Sequence, residues 1–350
     1  MCRNARVIPS YNPRMPLPEN RNARYDIVLL VDEETGRRAH SGAFIVDSSS
    51  VESQVLRVLR RQHRRVVVVP YDANAIATIA ALRAFNPRLV FNLTEWIDGD
   101  RSRDHVITKL LENLELPYTG TAGEGLRITR DKVRAKAVVA AFGVATPRHF
   151  IAGLFSGVSL PFPLFVKPRH GDGSDAISAA AFVRTRDELG ARLKALHARK
   201  LGAILCEEYV EGRDLFVGLL GNKPEVLHPL ELVIGRHGRG APRFATGRLK
   251  HDEDYKRRWQ VSYRKARLPV GVLREINESS RRIFHALKLR DYARIDYRLT
   301  PDNRLVFIEA NPNPDLGRHT FGRERCFVDV AYPELIRRIV AAAKIRYTKR

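Results

Sequence analysis

Cysteine is scarce: Cys2, Cys206 and Cys326 are far apart and odd in number over 350 residues. No disulfide framework can be built from them, and a reducing, cytoplasmic setting is the expectation. Long apolar runs are absent too; none approaches the roughly 18 residues of a membrane span. The opening MCRNARVIPSYNPRMPLPENRNAR is rich in Arg and Pro and lacks the apolar core of a signal peptide, so residues 1–24 read as a basic flexible extension. The common nucleotide loops are missing: there is no GxxxxGK[ST], and no GxGxxG after a strand. Zinc fingers, RNP signatures and heptad-bearing basic regions are missing as well. Acidic residues are few beside basic ones, 39 against 61, for a net charge of +22. Most of that excess is scattered Arg, but from Arg236 to Arg267 eleven Lys/Arg face only Asp252, Glu253 and Asp254. Such a stretch suits phosphate, of a nucleotide or of a polymer, and makes nucleic-acid binding the reading from another class to be weighed.

What is present is a globular composition, 44% hydrophobic and 29% charged, on a chain long enough for two or three domains. YDIVLLV, RVVVVP and RLVFNL are apolar runs fit for buried strands, and the helical patterns VESQVLRVLRR and NAIATIAALRAF fall between them. Alternation of this kind predicts a doubly wound parallel sheet over residues 25–125, with its ligand position at the strand ends, Asn92 to Glu95. From Thr129, which is placed to cap the helix DKVRAKAVVAAF, the texture becomes α+β. The run GAILCEEYVEGRDLFVGLLG reads as two strands about a turn at Glu211 and Gly212. The last third is strand-rich, crossed by VLREINESSRRIFHALKL and closed by the helix PELIRRIVAAAKI. Two further units, 126–212 and 213–350, are expected.

Chemistry concentrates in a few stretches. In VFIEANPNPDLG an apolar strand ends in Glu309 and Asn311, which lie on one face because successive strand residues alternate. Arg294 and Asp296 repeat that spacing in ARIDYRL, so pairing of the two runs would gather three oxygen-bearing side chains. Hard oxygen ligands without Cys or His suit Mg²⁺ or Mn²⁺ better than zinc. In LFVKPRHGDGS, Lys167 ends a strand, and Gly171 and Gly173 before Ser174 let backbone amides turn toward an anion, a plausible phosphate cradle. Lys132 stands at a helix start. In ILCEEYVEGRD, Glu207, Glu208, Tyr209 and Val210 form a strand edge able to meet an adenine amino group, with Asp214 placed for ribose hydroxyls. Each of these has a plain alternative: a hairpin, a solvated charge, or a charged strand edge.

The succession DK (131–132), FVKPRHGDGS, CEEYVEGRD, ARID and FIEANPNP resembles the ATP-grasp superfamily, most closely its D-alanine–D-alanine ligase branch. FNLTEW and LELPYTGTAGEGLRITRDK look like that branch too, and the likeness covers roughly residues 88–317. It implies an ATP-grasp fold behind an N-terminal α/β domain, and an ATP-dependent carboxylate–amine ligase that works through an acylphosphate. It also implies roles. Lys132 and Lys167 would contact ATP phosphates under a loop of residues 170–174, in which His170 is a polar residue placed by its backbone. Glu207, with the 208–210 backbone, would face adenine, and Asp214 the ribose. Asp296, Glu309 and Asn311 would hold two Mg²⁺ ions, with Arg294 and Lys250 as catalytic cations. Amino-acid-like substrates and a homodimer come with the family. The chain departs from the branch in two places. Only Asp32, Glu33 or Glu34 can replace its N-terminal glutamate, and Asn313-Pro314-Asp315 replaces a small residue and Pro-Gly. Asn313 and Asp315 are therefore candidate substrate residues, and a peptide end, a protein end or a specialised metabolite is the alternative substrate.

Overall fold

The computed structural model describes residues 24–71, 75–97, 99–153, 160–171, 177–236, 238, 241–244, 246, 248–249, 252–317 and 326–348. Gly173, Ser174, Lys250 and the extension 1–23 lie outside the described residues.

Three parallel strands, in the order Val66–Tyr71, Ile27–Asp32, Val90–Asn92, form the first sheet. All six residues of Ile27–Asp32 are buried, as a parallel strand covered on both faces requires. Alternation sorts them. Ile27, Leu29 and Val31 pack with Val55 and Leu59 of the helix Val51–Gln62, and with Leu335 and Ile339 of the last helix, Tyr332–Thr348. Val28 and Leu30 pack with Leu82 and Phe85 of Ala75–Phe85 and with Ile107 and Leu111 of Asp104–Asn113. The closing helix thus shares a core with the first strand of the chain. A short hairpin, Gly36–Arg38 with Phe44–Val46, follows the first strand.

A four-stranded antiparallel sheet, His149–Ile151, Ile204–Glu208, Leu164–Pro168, Phe182–Val183, forms the middle of the molecule. A larger one runs Val261–Lys265, Leu230–Ile234, Arg213–Leu220, Tyr292–Leu299, Leu305–Asn311. The two strands expected within GAILCEEYVEGRD are both present, but they belong to different sheets, so the turn between them is the joint of the two sheets. Gly212 at that joint has φ 149°, and a Cβ there would lie 2.2 Å from the Leu299 carbonyl oxygen, so only glycine closes the corner.

Thr129 does not cap the following helix. It ends the helix Gly123–Arg130, where its Oγ1 donates to the Gly125 and Leu126 carbonyls. Asp131 caps Lys132–Ala141 by accepting from the backbone N–H of Val133 and Arg134. An aspartate wins the position because its carboxylate takes two of the free N–H groups at a helix start.

Candidate active site

Strand alternation also builds the cleft. In the four-stranded sheet Leu164, Val166, Ile204 and Cys206 enter the core, leaving Lys167 and Glu207 to the opposite face. In the larger sheet Leu215, Val217, Ala293, Ile295, Tyr297 and Leu299 pack under the helix Val270–Ala286, leaving Arg294, Asp296 and Arg298 to the other side. The two polar faces meet around a cavity of about 90 Å³, lined by Lys167, Glu207, Asp214, Asp296, Arg298 and Glu309 among others.

The hairpin pairing expected of ARIDYRL and FIEAN is present: Asp296 lies across from Glu309 and Arg294 across from Asn311. A register shift falls between Asp296 and Tyr297, because Tyr297 pairs with Phe307 and Ile308 is left over. That extra residue reverses the parity of the strand. Phe307 faces the core; Glu309, which plain alternation would send after it, instead stands beside Asp296. Arg294 donates through Nε to Asp296 Oδ1 at 2.7 Å, both side chains being almost wholly buried. Among the described residues no three or more His, Cys, Asp or Glu gather as a metal cluster. The set is instead two carboxylates and the amide of Asn311, whose Nδ2 is buried without a hydrogen-bond partner. Two carboxylates and an amide oxygen are hard donors of the kind that fits Mg²⁺ or Mn²⁺.

On the opposite wall Glu207 lies between two ammonium groups, 3.0 Å from Lys136 Nζ and 2.9 Å from Lys167 Nζ. The paired lysines hold its carboxyl down at about 2 although burial alone would raise it. Lys132 Nζ donates to the Gly171 carbonyl at 2.6 Å, and burial lowers its ammonium to about 8. The base of the Gly-rich loop is fastened to the same corner, since Arg169 forks onto Asp131 at 2.9 and 2.6 Å. Lys132, Lys167, Gly171 and Glu207 are thus brought together. Glu208 turns outward to Arg148, as its neighbour's inward turn demands. Tyr209 stacks edge-on with Phe182 and Phe244, and Asp214 lies 3.0 Å from buried Arg298. Sequence reasoning missed Lys136 and Arg298. The signal for Lys136 was its place one turn after Lys132; Arg298 repeated the i, i+2 spacing of Arg294 and Asp296.

A second cleft, about 540 Å³, opens where the first sheet meets the PNPDLG turn. Of the three acids expected there, Asp32 and Glu34 line it, whereas Glu33 faces Arg38. Glu52, Glu95 and Asp315 line it as well. The linker 118–121 holds the turn in place: Thr121 N–H donates to Asn313 Oδ1 at 3.0 Å. A Cβ on Gly120 would meet that oxygen at 2.7 Å. Asn313 is therefore at the cleft, with its amide oxygen engaged; Asp315 is exposed to it and accepts from Gly317 N–H.

Asp32 accepts from the backbone N–H groups of Glu95 and Trp96, but burial outweighs them and lifts its carboxyl to about 7. Between the ordinary 3.8 and 7 the folded state keeps a proton that the unfolded chain has lost. Stability from this group is therefore full at low pH and is lost as pH rises through 7. The unfolding free energy of Asp32→Asn should overtake the wild type's between about pH 4 and pH 7, by at most about 4 kcal/mol, with the difference level above that range. Parallel pH profiles for the two proteins would count against this.

Two gripping antiparallel sheets behind a parallel α/β unit define an ATP-grasp protein. The fold is that of the Bacillus anthracis D-alanine–D-alanine ligase crystallised with ATP: TM-score 0.68, 18% identity, 94% of this chain and 100% of that one. The Enterococcus faecalis VanG D-Ala:D-Ser ligase gives 0.63 at 16% identity, covering 91% and 100%. The model described as the D-ala D-ala ligase C-terminus matches residues 155–341. An uncharacterised protein of Sinorhizobium fredii is 32% identical over 74% of this chain and 75% of its own length. The D-alanine–D-alanine ligase of Aquifex aeolicus is 28% identical, over 63% and 71%. The chain belongs to the D-alanine–D-alanine ligase family of ATP-dependent ligases that form C–N bonds.

Proposed function

We propose that this protein joins the carboxylate of one small amino-acid-like substrate to the amine of another through an acylphosphate. The observation that carries the reading is the facing of Lys167 and Glu207 on one wall by Asp296 and Glu309 on the other, with Lys132 near enough to feel the Glu309 charge. In the first step a substrate carboxylate oxygen bonds to the γ-phosphorus and the bond to the ADP oxygen breaks. In the second the amine nitrogen bonds to the acyl carbon, phosphate leaves and the amine gives up a proton. Lys132 and Lys167 hold phosphate oxygens, Lys250 joining them, and Arg294 neutralises charge on the group in flight. The segment 170–174, including Gly173 and Ser174, covers the labile intermediate from water. Tyr209, Val210 and the strand edge at Glu208 take the adenine, and Asp214 the ribose. Asp296, Glu309 and Asn311 hold Mg²⁺ or Mn²⁺, two ions in this reading, which offset the triphosphate charge when bound. The units 25–125, 126–212 and 213–350 carry the substrate cleft, the phosphate wall and the metal platform. A cytoplasmic homodimer completes the proposal; among the described residues no helix is long and apolar enough to cross a membrane.

The second cleft speaks to the substrates. Asp32, Glu34, Glu52, Glu95 and Asp315 line it, and Arg101, engaged with Glu95, is the cation among its described lining residues. That balance favours an ammonium-bearing substrate and disfavours a second carboxylate beside Asp315. Purified protein with ATP, Mg²⁺ and an amino-acid panel tests the reading by ADP release. Asp315→Gly should raise kcat/KM for D-alanine as the amine about tenfold, roughly the value of removing one like-charge contact. A panel without ADP release from the wild type sinks the ligase reading.

The nucleic-acid reading loses support from the basic stretch itself. Arg248 pairs with Asp252, Lys256 with Glu253, Arg257 with Asp254, and Lys265 with Asp329. Arg243 and Arg258 lie over Phe182 and Trp259. Each of these cations thus has a carboxylate or ring partner within the protein.

A further inference from the structure

Lys136 is a buried cation at the cleft that bonds to both of its walls. It sits one turn after Lys132 on the helix Lys132–Ala141, with its side chain fully buried. Its Nζ donates to the Ile308 carbonyl at 2.6 Å and lies 3.0 Å from Glu207 Oε1. It also stands 5.7 Å from the centre of the Phe307 ring. Glu207 belongs to the four-stranded sheet, Ile308 to the edge strand of the larger one.

Ile308 is the extra residue of the bulge, without a partner in the strand register. A bulge leaves backbone groups off the ladder, and a buried carbonyl without a donor is costly. Lys136 supplies the donor. The bulge in turn sets the parity that stands Glu309 beside Asp296. One ammonium group therefore fixes the backbone next to Glu309 and, through Glu207, the position of Lys167.

We propose that Lys136 is a positioning residue of the ligation, pinning the Ile308 bulge so that Glu309 faces the cleft while tying Glu207 and Lys167 to the same point. The role rests on the ligase reading, and it assigns Lys136 no contact with substrate. Loss of Lys136 should spoil alignment more than affinity. A displacement of about 1 Å at a reacting centre costs on the order of 10²-fold in rate. Lys167 remains to pair with Glu207, so nucleotide binding should survive.

The test compares wild type with Lys136→Met, which keeps length and removes the donor, and Lys136→Gln, which keeps an N–H. Three quantities are read: ATP dissociation constant, single-turnover ADP formation, and Mn²⁺ affinity of the ATP complex by water-proton relaxation. The expected result for Lys136→Met is ATP affinity within about threefold, ADP formation about 10²-fold slower and Mn²⁺ held about tenfold more weakly, with Lys136→Gln between it and wild type. Loss of ATP affinity in proportion to rate would make Lys136 a direct phosphate ligand and overturn the proposal. Unchanged rate and Mn²⁺ affinity would make it a bystander, and failure of both variants to fold would make its role purely structural. The wild-type control separates the layers: no ADP from the wild type defeats the ligase reading, whereas an active wild type with an equally active Lys136→Met defeats the positioning role alone.

Discussion

Asp296→Asn should lower the rate of ADP formation by about 10³-fold in a protein that still folds. The substitution keeps the size of the side chain and removes one of the two carboxylates that stand across from each other on the paired strands. Divalent-cation stabilisation of transferring phosphate is worth several kcal/mol, and about 4 kcal/mol corresponds to three decades in rate. Folding should suffer less. Arg294 Nε, 2.7 Å from Asp296 Oδ1, keeps a neutral oxygen acceptor while losing a charged one. An exchange of that kind costs about 1–3 kcal/mol, within the reserve of a two-sheet core. The measurements are single-turnover ADP formation at saturating Mg²⁺ and the urea midpoint of the same preparation. A rate within tenfold of wild type would remove Asp296 from the metal platform. A loss of rate matched by a collapse of the urea midpoint would show that only folding had been measured.

The platform could be seen in the sequence because its information is local. Two i, i+2 pairs separated by a turn signal at 301–303 specify a hairpin, and a hairpin specifies which side chains meet. The parallel sheet was visible for a similar reason: runs such as IVLLVD and VVVVPY are too apolar to lie anywhere but inside. What was hidden depends on parity and on distance. Phe307 and Glu309 are two apart and should share a face; the bulge at Ile308 separates them, and no residue near it announces a bulge. Lys136, among Ala and Val on a short helix, reads as an ordinary solvated lysine. Its burial is decided by Ile308, 172 residues away. The turn at Gly212 was legible, but a turn between two strands does not say whether they pair, so their division between two sheets was not. The acids of the second cleft come from four segments far apart in the chain; Asp32, Glu34 and Asp315 were candidates from the sequence and Glu95 closed the expected ligand position, while Glu52 on its helix gave no signal.

Glu207→Gln should be among the most destabilising conservative changes in the protein without nucleotide, at about 3–5 kcal/mol. The carboxylate is the charged partner of Lys136 and Lys167, whose side chains are 0% and 2% exposed. An amide offers one acceptor and no charge, so two buried ammonium groups would lose their paired carboxylate. Lys136, whose ammonium desolvation already depresses, would shed its proton more readily, and a neutral amine gives up part of the hydrogen bonding that holds the walls together. The pH dependence has a definite sign. Because the Glu207 carboxyl falls from 4.5 to about 2 on folding, its contribution is complete above 4.5 and is lost as pH falls toward 2. The wild-type urea midpoint should therefore carry an acid limb that Glu207→Gln lacks, the two proteins converging at low pH. Nucleotide adds a second discriminating measurement. If Lys167 meets phosphate, bound ATP supplies the missing negative charge, and saturating ATP should raise the midpoint of Glu207→Gln more than that of the wild type. Equal increments would place the phosphates away from Lys167, leaving the Lys136–Glu207–Lys167 group as a structural knot between the sheets.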